Sequence, residues 1–385
     1  MERREEFVRL ARAPGANVAE LCRRFAVSRS NGYKWLARHE AEGGSGLAER
    51  SRRPRQSPAQ SSAPVEARVL EVRQAHPAWG GRKIRRVLQR QGLAEPPSAS
   101  TITAILHRHG RLDGPGAGER RDRVRFEHPE PNDLWQMDFK GHFALAQGRC
   151  HPLTVLDDHS RYALEIGACR DELGETVKGR LEAVFKRYGL PRRILADNGA
   201  PWGTAGSSQR HTWLTVWLLD LGVGVAHGRP YHPQTQGKEE RSHRTLKAEV
   251  LDQRLETLDQ AQDAFDRWRE VYNAVRPHEA LQLDTPASRY HVSPRRWPKL
   301  VSPPDYEPQA IVRKVHDGGW ISFRGRPIKC PKAFVGRRLA LRATHLDGVF
   351  DLCYRSHLLA QLDLRQNIIE TVLDVSERMS SMSPV

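Results

Sequence analysis

Carboxylates in this sequence stand where their surroundings make them costly or informative. Asp138 lies within the apolar run Leu134-Trp-Gln-Met-Asp-Phe139, and Asp197 opens Asp197-Asn-Gly199. The adjacent pair Glu239-Glu240 sits among Lys238, Arg241, His243, Arg244 and Lys247. An acid inside a strand-like apolar run costs free energy unless it is paired or coordinates something. Basic residues gathered near a helix start oppose the helix dipole, so a negatively charged partner is expected there. Carboxylates brought from separate elements can hold two hard cations that keep positions open for phosphate oxygens. In such a site one cation activates the attacking oxygen and the other stabilises the leaving oxygen, so no protein nucleophile is required. No Ser-His-Asp, Cys-His or Walker-type spacing offers a competing chemistry. Taken singly, Asp197 reads as a turn residue and Glu240 as a solvated helix acid. Their conjunction carries the reading.

An α/β layer must position these acids. Residues 134–140, 152–156, 162–166, 193–196 and 223–226 read as short strands, the first three close enough to pair antiparallel. Glu175 to Tyr188 carries Val177, Leu181, Val184 and Phe185 at helical spacing and ends at Gly189-Leu-Pro191. Further helices are expected near 208–221 and 258–276. Three strands followed by alternating helices and strands is the order of a layered α/β domain. Asp157 and Asp158 read as turn residues between two of the strands.

The ends of the chain differ from this centre. The formal net charge is +16 with a pI of about 10.0, and residues 1–125 hold 26 Lys and Arg against 13 Asp and Glu. So basic a first third favours a polyanion, of which nucleic acid is the commonest. Val18, Leu21, Cys22 and Phe25 form an i, i+3, i+4, i+7 stripe, Ala26-Val27 turns the chain, and Ser28 can cap a second helix closing on Tyr33 and Trp35-Leu36. This is a helix-turn-helix pattern that would present Arg29, Ser30, Asn31 and Lys34 to a major groove. Arg52 and Arg53 follow in a Gly/Ser/Pro-rich linker that can track phosphates or a minor groove. A second helical unit carries Arg82 and Lys83 on its middle helix. Beyond residue 308, short alternating runs such as Trp320-Ile-Ser-Phe323 predict a small β-barrel, and the stretch from about Gln366 a loose tail.

Five scattered cysteines without a CxxC pair point to a reducing compartment, and the basic segments are too polar and Pro-interrupted to lie on a membrane. A cytoplasmic protein is expected, with double-stranded DNA as its partner and no membrane.

Trp135-Gln-Met-Asp138, Asp197-Asn-Gly199, Tyr231-His-Pro-Gln-Thr-Gln-Gly-Lys-Glu-Glu-Arg241 and Tyr272-Asn-x-x-Arg-Pro-His278 occur in that order. Together they resemble the DDE transposases of bacterial insertion sequences, whose catalytic core is of the retroviral-integrase type. The resemblance implies a central ribonuclease H-like α/β core, flanked by the N-terminal all-α helix-turn-helix domains and the C-terminal small β-barrel. The expected domains are 1–53, 64–112, a basic linker at 113–131, the core at 132–293 and the barrel at 309–365. It also implies catalytic and metal-holding Asp138, Asp197 and Glu240, two Mg²⁺ ions for which Mn²⁺ can substitute, terminal inverted repeats and target DNA as substrates, and a homo-oligomer on DNA in a bacterial, nucleoid-associated setting. The family's Gly-Lys-x-Glu-Arg pattern selects Glu240 over Glu239. Helical phase agrees, since at roughly 100° per residue Glu240 shares a face with Arg244 and Lys247 while Glu239 points with Leu246 and Val250. Lys238, Arg241, Arg244 and Lys247 are expected to meet phosphates. One departure is length: 42 residues separate Asp197 from Glu240, with Gly203 to Arg210 reading as an inserted loop. A transposase-derived DNA-binding regulator with an idle core and a metal-dependent nuclease that cuts without joining are the alternatives. The intact set of acids argues against the first.

Overall fold

Strand β1 (Leu134–Phe139) alternates in the way its sequence demands, and that alternation organises the centre of the molecule. Trp135 and Met137, with Leu153 and Val155 of β3 (Arg149–Asp157), join the apolar cluster that includes Val177, Leu181, Val184, Phe185, Leu214 and Leu218. Those helical partners belong to α7 (Gly174–Tyr188) and α8 (Trp213–Asp220). Side chains one residue out of phase, Gln136, Asp138 and Thr154, are therefore directed to the opposite face of the sheet. There a second cluster joins Leu156, Ala163 and Ile166 to Leu246 of α9 (Gly237–Leu246) and to Ala261, Ala264, Phe265 and Trp268 of α10 (Leu258–Glu270). The result is a sheet between two helical layers.

The computed structural model describes residues 2–49, 60–112, 127–203, 211–227, 237–251, 254–365 and 368–371. Arg52 and Arg53, most of the 113–131 linker, the Gly203–Arg210 loop beyond its first residue, His232 and most of the tail lie outside them. Strand β3 pairs antiparallel with β1 and with β4 (Ala163–Cys169), while the two-residue β2 (Phe143–Ala144) pairs with the start of β3. On its other side β1 pairs parallel with β5 (Arg193–Ala196), which pairs parallel with β6 (Gly224–His227). The expected strands fall where the alternation puts them, and α7 and α8 make the crossovers that parallel neighbours require.

Two compact units divide the chain, Met1–Ser62 and Ala63–Val385. In the first, α1 (Glu2–Ala11), α2 (Val18–Arg24) and α3 (Arg29–Glu42) enclose Phe7, Val8, Cys22, Phe25 and Leu47. Asn17 caps α2 and Ser28 caps α3, each accepting a backbone N–H three residues on. Gly32 lets α3 approach, since a Cβ there would lie 2.6 Å from Cys22 Sγ and 2.9 Å from Phe7 Cζ.

The second unit begins with α4 (Ala63–Ala75), α5 (Gly81–Arg90) and α6 (Ala99–Arg108) around Val69, Trp79, Ile84, Leu88, Ile102 and Leu106. Arg86 and Arg90 reach Asp284 at 2.7 and 3.1 Å, and Val271 packs against this small core. The unit is thereby fastened beside the α/β layer.

The C-terminal strands correct one expectation: they form no barrel. Strands β7 (Ile311–Lys314), β10 (Arg338–Ala343), β11 (Val349–Tyr354), β12 (His357–Asp363) and β13 (Ile368–Thr371) make an open antiparallel sheet with β7 and β13 at its edges. A separate hairpin joins β8 (Trp320–Phe323) to β9 (Arg326–Lys329). The reason is in the packing. Leu339, Leu341, Phe350, Leu352 and Leu362 are covered by Ile321, Phe323 and Ile328 of the hairpin and by Val216 and Leu219 of α8. A sheet whose apolar face already has a cover gains nothing from closing on itself. No helix among the described residues is long and apolar enough to cross a membrane.

Candidate active site

The pairing of β1 with β5 determines where two of the acids meet. Gln136 is in register with Leu195, so two residues further along parallel strands Asp138 stands beside Asp197. Their proximity is felt electrostatically. Burial first and Asp197 second push Asp138 up to about 7, although its side chain keeps 27% exposure. Burial also raises Asp197, against the Gly199 N–H that donates to its Oδ1 at 3.2 Å. His227 holds the same turn through its Nδ1, 2.8 Å from the Asp197 carbonyl oxygen. Two partly buried acids, both raised by burial and one of them further by the other, form a place where added positive charge is favoured.

Helix α9 faces this pair, but with Glu239 rather than Glu240 turned inward. Glu239 is 1% exposed, and its Oε2 lies 3.0 Å from Thr154 Oγ1. Its Oε1 is buried without a hydrogen-bond partner among the described residues. Burial, then Asp138, push its carboxyl well above the usual glutamate range. His243, one turn on, has Nε2 2.7 Å from the same Thr154 hydroxyl, and burial pushes it down to about 4, so it is neutral near pH 7. Glu240 is exposed on the first turn of α9 with Arg241, Arg244 and Lys247. The physical reason is the helical phase: α9 packs through Leu246, the π-helical turn that continues it (Lys247–Leu251) through Val250, and Glu239 is the acid in phase with them. Among the described residues no three His, Cys, Asp or Glu side chains lie close enough together to hold a metal ion. The structure thus joins Asp138 to Asp197 and leaves Glu240 apart from both.

The expected phosphate contacts divide. Arg241, Arg244 and Lys247 are exposed, whereas Lys238 is turned inward, its Nζ 2.5 Å from Asp158 Oδ1. Arg82 is exposed, and Lys83 is partly buried, which holds its ammonium down at about 8. In the first unit Arg29, Ser30, Asn31 and Lys34 are all exposed on α3. Tyr33, expected to close the helix onto its core, is instead 57% exposed on that surface. Asn31→Ala is expected to weaken binding to a cognate duplex by about 1–3 kcal/mol and to relax base preference at one position. Lys34→Ala should weaken cognate and random duplexes alike, with a salt slope smaller by about 1. Fluorescence anisotropy over a salt series separates the two.

Residues passed over as turn or motif positions prove structural. Asp157 accepts the Asn132 N–H at 2.7 Å and the Ser160 N–H at 2.8 Å. Asn273, in the Tyr-Asn-x-x-Arg-Pro-His motif, exchanges both side-chain hydrogen bonds with the backbone of Ala163, and His278 is buried. The signal for Asp157 and Asp158 was available in one respect, since two adjacent acids at the end of the largely apolar run Pro152-Leu-Thr-Val-Leu156 are poorly placed for solvent.

Comparison with known proteins supplies the remaining observation. Integrase core domain models match residues 128–233 and 221–286, and the C-terminal domain of the IS481 family transposases matches residues 310–370. The chain carries an integrase core and an IS481-type C-terminal domain. A helix-turn-helix model covers residues 3–55 and a homeodomain-like model residues 31–106. The chain is similar to the uncharacterized 39.2 kDa protein of insertion element IS476 from Xanthomonas euvesicatoria, at 26% identity over 282 residues, 71% of this chain and 78% of that protein. It is similar also to the uncharacterized 31.7 kDa protein of insertion element IS407 from Burkholderia multivorans, at 25% identity over 233 residues, 58% of this chain and 79% of that one. Among solved structures it aligns with a chain of the simian T-cell lymphotropic virus intasome in complex with PP2A regulatory subunit B56 gamma, at 15% identity and a TM-score of 0.39, covering 79% of this chain and 98% of that one. The HTLV-2 integrase catalytic core in complex with magnesium aligns at 18% identity and a TM-score of 0.32, over 42% of this chain and 99% of that one. Integrase and IS481-type domains support a polynucleotidyl transferase and point to DNA transposition, and the helix-turn-helix matches imply DNA binding.

Proposed function

We propose that this protein is a DNA transposase that binds terminal inverted repeats through its helical N-terminal segments, hydrolyses the phosphodiester at the element end and joins the resulting 3′-OH to target DNA. The observation that carries the proposal is the approach of Asp138 to Asp197, each two residues beyond the paired Gln136 and Leu195, where burial raises both carboxyls and Asp197 adds to the rise at Asp138. Oxygen-only ligands of this kind suit hard divalent cations. Asp138, Asp197 and Glu240 would hold two Mg²⁺ ions, or Mn²⁺ in their place, and Glu240, exposed on the first turn of α9 and apart from the two aspartates here, would have to turn toward them to do so. Bound there, the cations would supply activation of the attacking oxygen and stabilisation of the leaving oxygen.

The chain's own residues do the rest. The parallel strands hold the two aspartates at a fixed spacing. Arg241 and Arg244, exposed along α9, and Lys247, exposed just after it, are suited to phosphates of the incoming strand. Since two element ends must be joined, the working form is a homo-oligomer on DNA.

Mg²⁺ or Mn²⁺ is expected to raise the melting temperature of the full chain, and Asp138→Asn or Asp197→Asn to remove that rise. The activity test is strand transfer with Mg²⁺ on a duplex carrying the DNA that flanks the gene. Joined products are expected from the natural chain and none from Asp138→Asn. Cleavage without joining would instead make the protein a nuclease.

A further inference from the structure

Lys238 is the second residue of α9, at the edge of a basic helix face, yet it does not share that face's exposure. Its Nζ lies 2.5 Å from Asp158 Oδ1 and 3.4 Å from the Asp158 carbonyl oxygen. The Lys238 side chain is 16% exposed and that of Asp158 0%. Asp158 follows directly on β3 and is held from two further directions: its Oδ2 accepts the His128 N–H at 2.9 Å, and its Oδ1 accepts Gln136 Nε2 at 2.6 Å. Gln136 is on β1, two residues before Asp138 and on the same face. A carboxylate this buried is stable only with its hydrogen bonds and its counter-charge in place. An ammonium so used is not available to a phosphate.

One residue on, Glu239 makes a second buried contact with the same strand. Thr154 Oγ1 lies 3.0 Å from Glu239 Oε2, 3.0 Å from the Asp138 carbonyl oxygen and 2.7 Å from His243 Nε2. The hydroxyl has one hydrogen to give, so at most one of the three accepts it, and the Asp138 carbonyl oxygen can only accept. That requirement fixes several side chains relative to one another. Lys238 and Glu239 thus hold successive residues of one helical turn to two points, Thr154 on β3 and Asp158 just beyond its end, and two such points fix the rotation of the turn.

We propose that Lys238 is a positioning residue, which with Asp158 fastens the first turn of α9 to the end of β3 and so sets the direction in which Glu240 is presented, and that it does not contact DNA. The proposal rests on the two-metal reading of Asp138, Asp197 and Glu240.

The test uses the full chain, a fluorescent duplex carrying the DNA that flanks the gene, and a plasmid target. Affinity is measured over a salt series, and single-turnover joining at saturating duplex. Lys238→Met is expected to leave affinity and its salt slope unchanged while joining falls about 10- to 100-fold, the range for groups that orient a metal ligand from behind it. Lys238→Arg, which can still meet Asp158, should recover part of the rate. Arg244→Ala is the contrast, with lower affinity and a salt slope smaller by about 1. If Lys238→Met unfolds the chain, the Asp158→Asn/Lys238→Met pair, which leaves no buried charge alone, is measured in the same way. Loss of affinity and of salt slope, with the saturated rate intact, would make Lys238 a phosphate contact and overturn the proposal. So would unchanged affinity with an unchanged rate. Joining that survives Asp138→Asn would overturn the two-metal reading instead, whatever Lys238→Met does.

Discussion

Glu240→Gln is expected to abolish joining, at least about a thousandfold or roughly 4 kcal/mol of transition-state stabilisation, whereas Glu239→Gln should keep joining within about tenfold. The two residues are adjacent and chemically identical, so only their placement separates them. Glu239 has one oxygen against Thr154 and the other buried without a hydrogen-bond partner among the described residues, and its carboxyl is pushed strongly toward the protonated form. A neutral amide of the same shape replaces it with little loss and can still accept from Thr154. Its melting temperature should equal or exceed that of the natural chain, because a buried acid beside Asp138 is removed. Glu240 is exposed, where cations can reach it, and an amide there cannot supply the charge they need. Asp138→Asn and Asp197→Asn should match Glu240→Gln in joining. The reverse result, with Glu239→Gln inactive and Glu240→Gln active, would move the third ligand to the buried residue that already faces Asp138.

That contrast also shows how far local pattern reaches. The phase of α9 was legible, since Leu246 and Val250 mark the buried face and Glu239 falls in phase with them. So were the strands of the core, whose period of two reports which face is covered. What the sequence could not carry is partnership across the chain. Asp158 sits in a stretch, Asp157-Asp-His-Ser-Arg161, that has every mark of a turn, and Asp157 does accept from Ser160 as a turn residue would. Nothing nearby in sequence says that Asp158 will be met by a lysine 80 residues later. Tyr33 failed for a related reason. Gly32, not Tyr33, supplies the close contact with Cys22 and Phe7, and a glycine leaves no hydrophobic signal. Barrel closure failed because it depends on whether two edge strands pair, and alternation reads the same in open and closed sheets.

Gly81→Ala is expected to loosen the helical unit at residues 63–108 while Gly80→Ala, one residue earlier, is tolerated. A Cβ at Gly81 would lie 2.3 Å from the Ala99 carbonyl oxygen and 2.9 Å from Thr103 Oγ1, whereas one at Gly80 meets nothing within 4 Å. The Ala99 oxygen is backbone of α6, so relief requires α5 and α6 to separate, and their contact encloses Ile84, Leu88, Ile102 and Leu106. Overpacking of this kind costs about 1–3 kcal/mol, and more where backbone must move. A unit of this size has little stability to lose. Gly80 is the N-cap of α5 at φ −86°, open to any residue, and its replacement by Ala should cost under about 1 kcal/mol. Hydrogen exchange should show amides of α4, α5 and α6 released in Gly81→Ala with those of β1 and β3 still protected. The cation-dependent rise in melting temperature should persist, because Asp138 and Asp197 lie in a different core. Binding to the flanking-DNA duplex should fall, because α5 carries exposed Arg82 and Arg85 and is docked through Arg86 and Arg90 to Asp284. Equal behaviour of the two glycine variants would mean that α5 and α6 do not cross at Gly81.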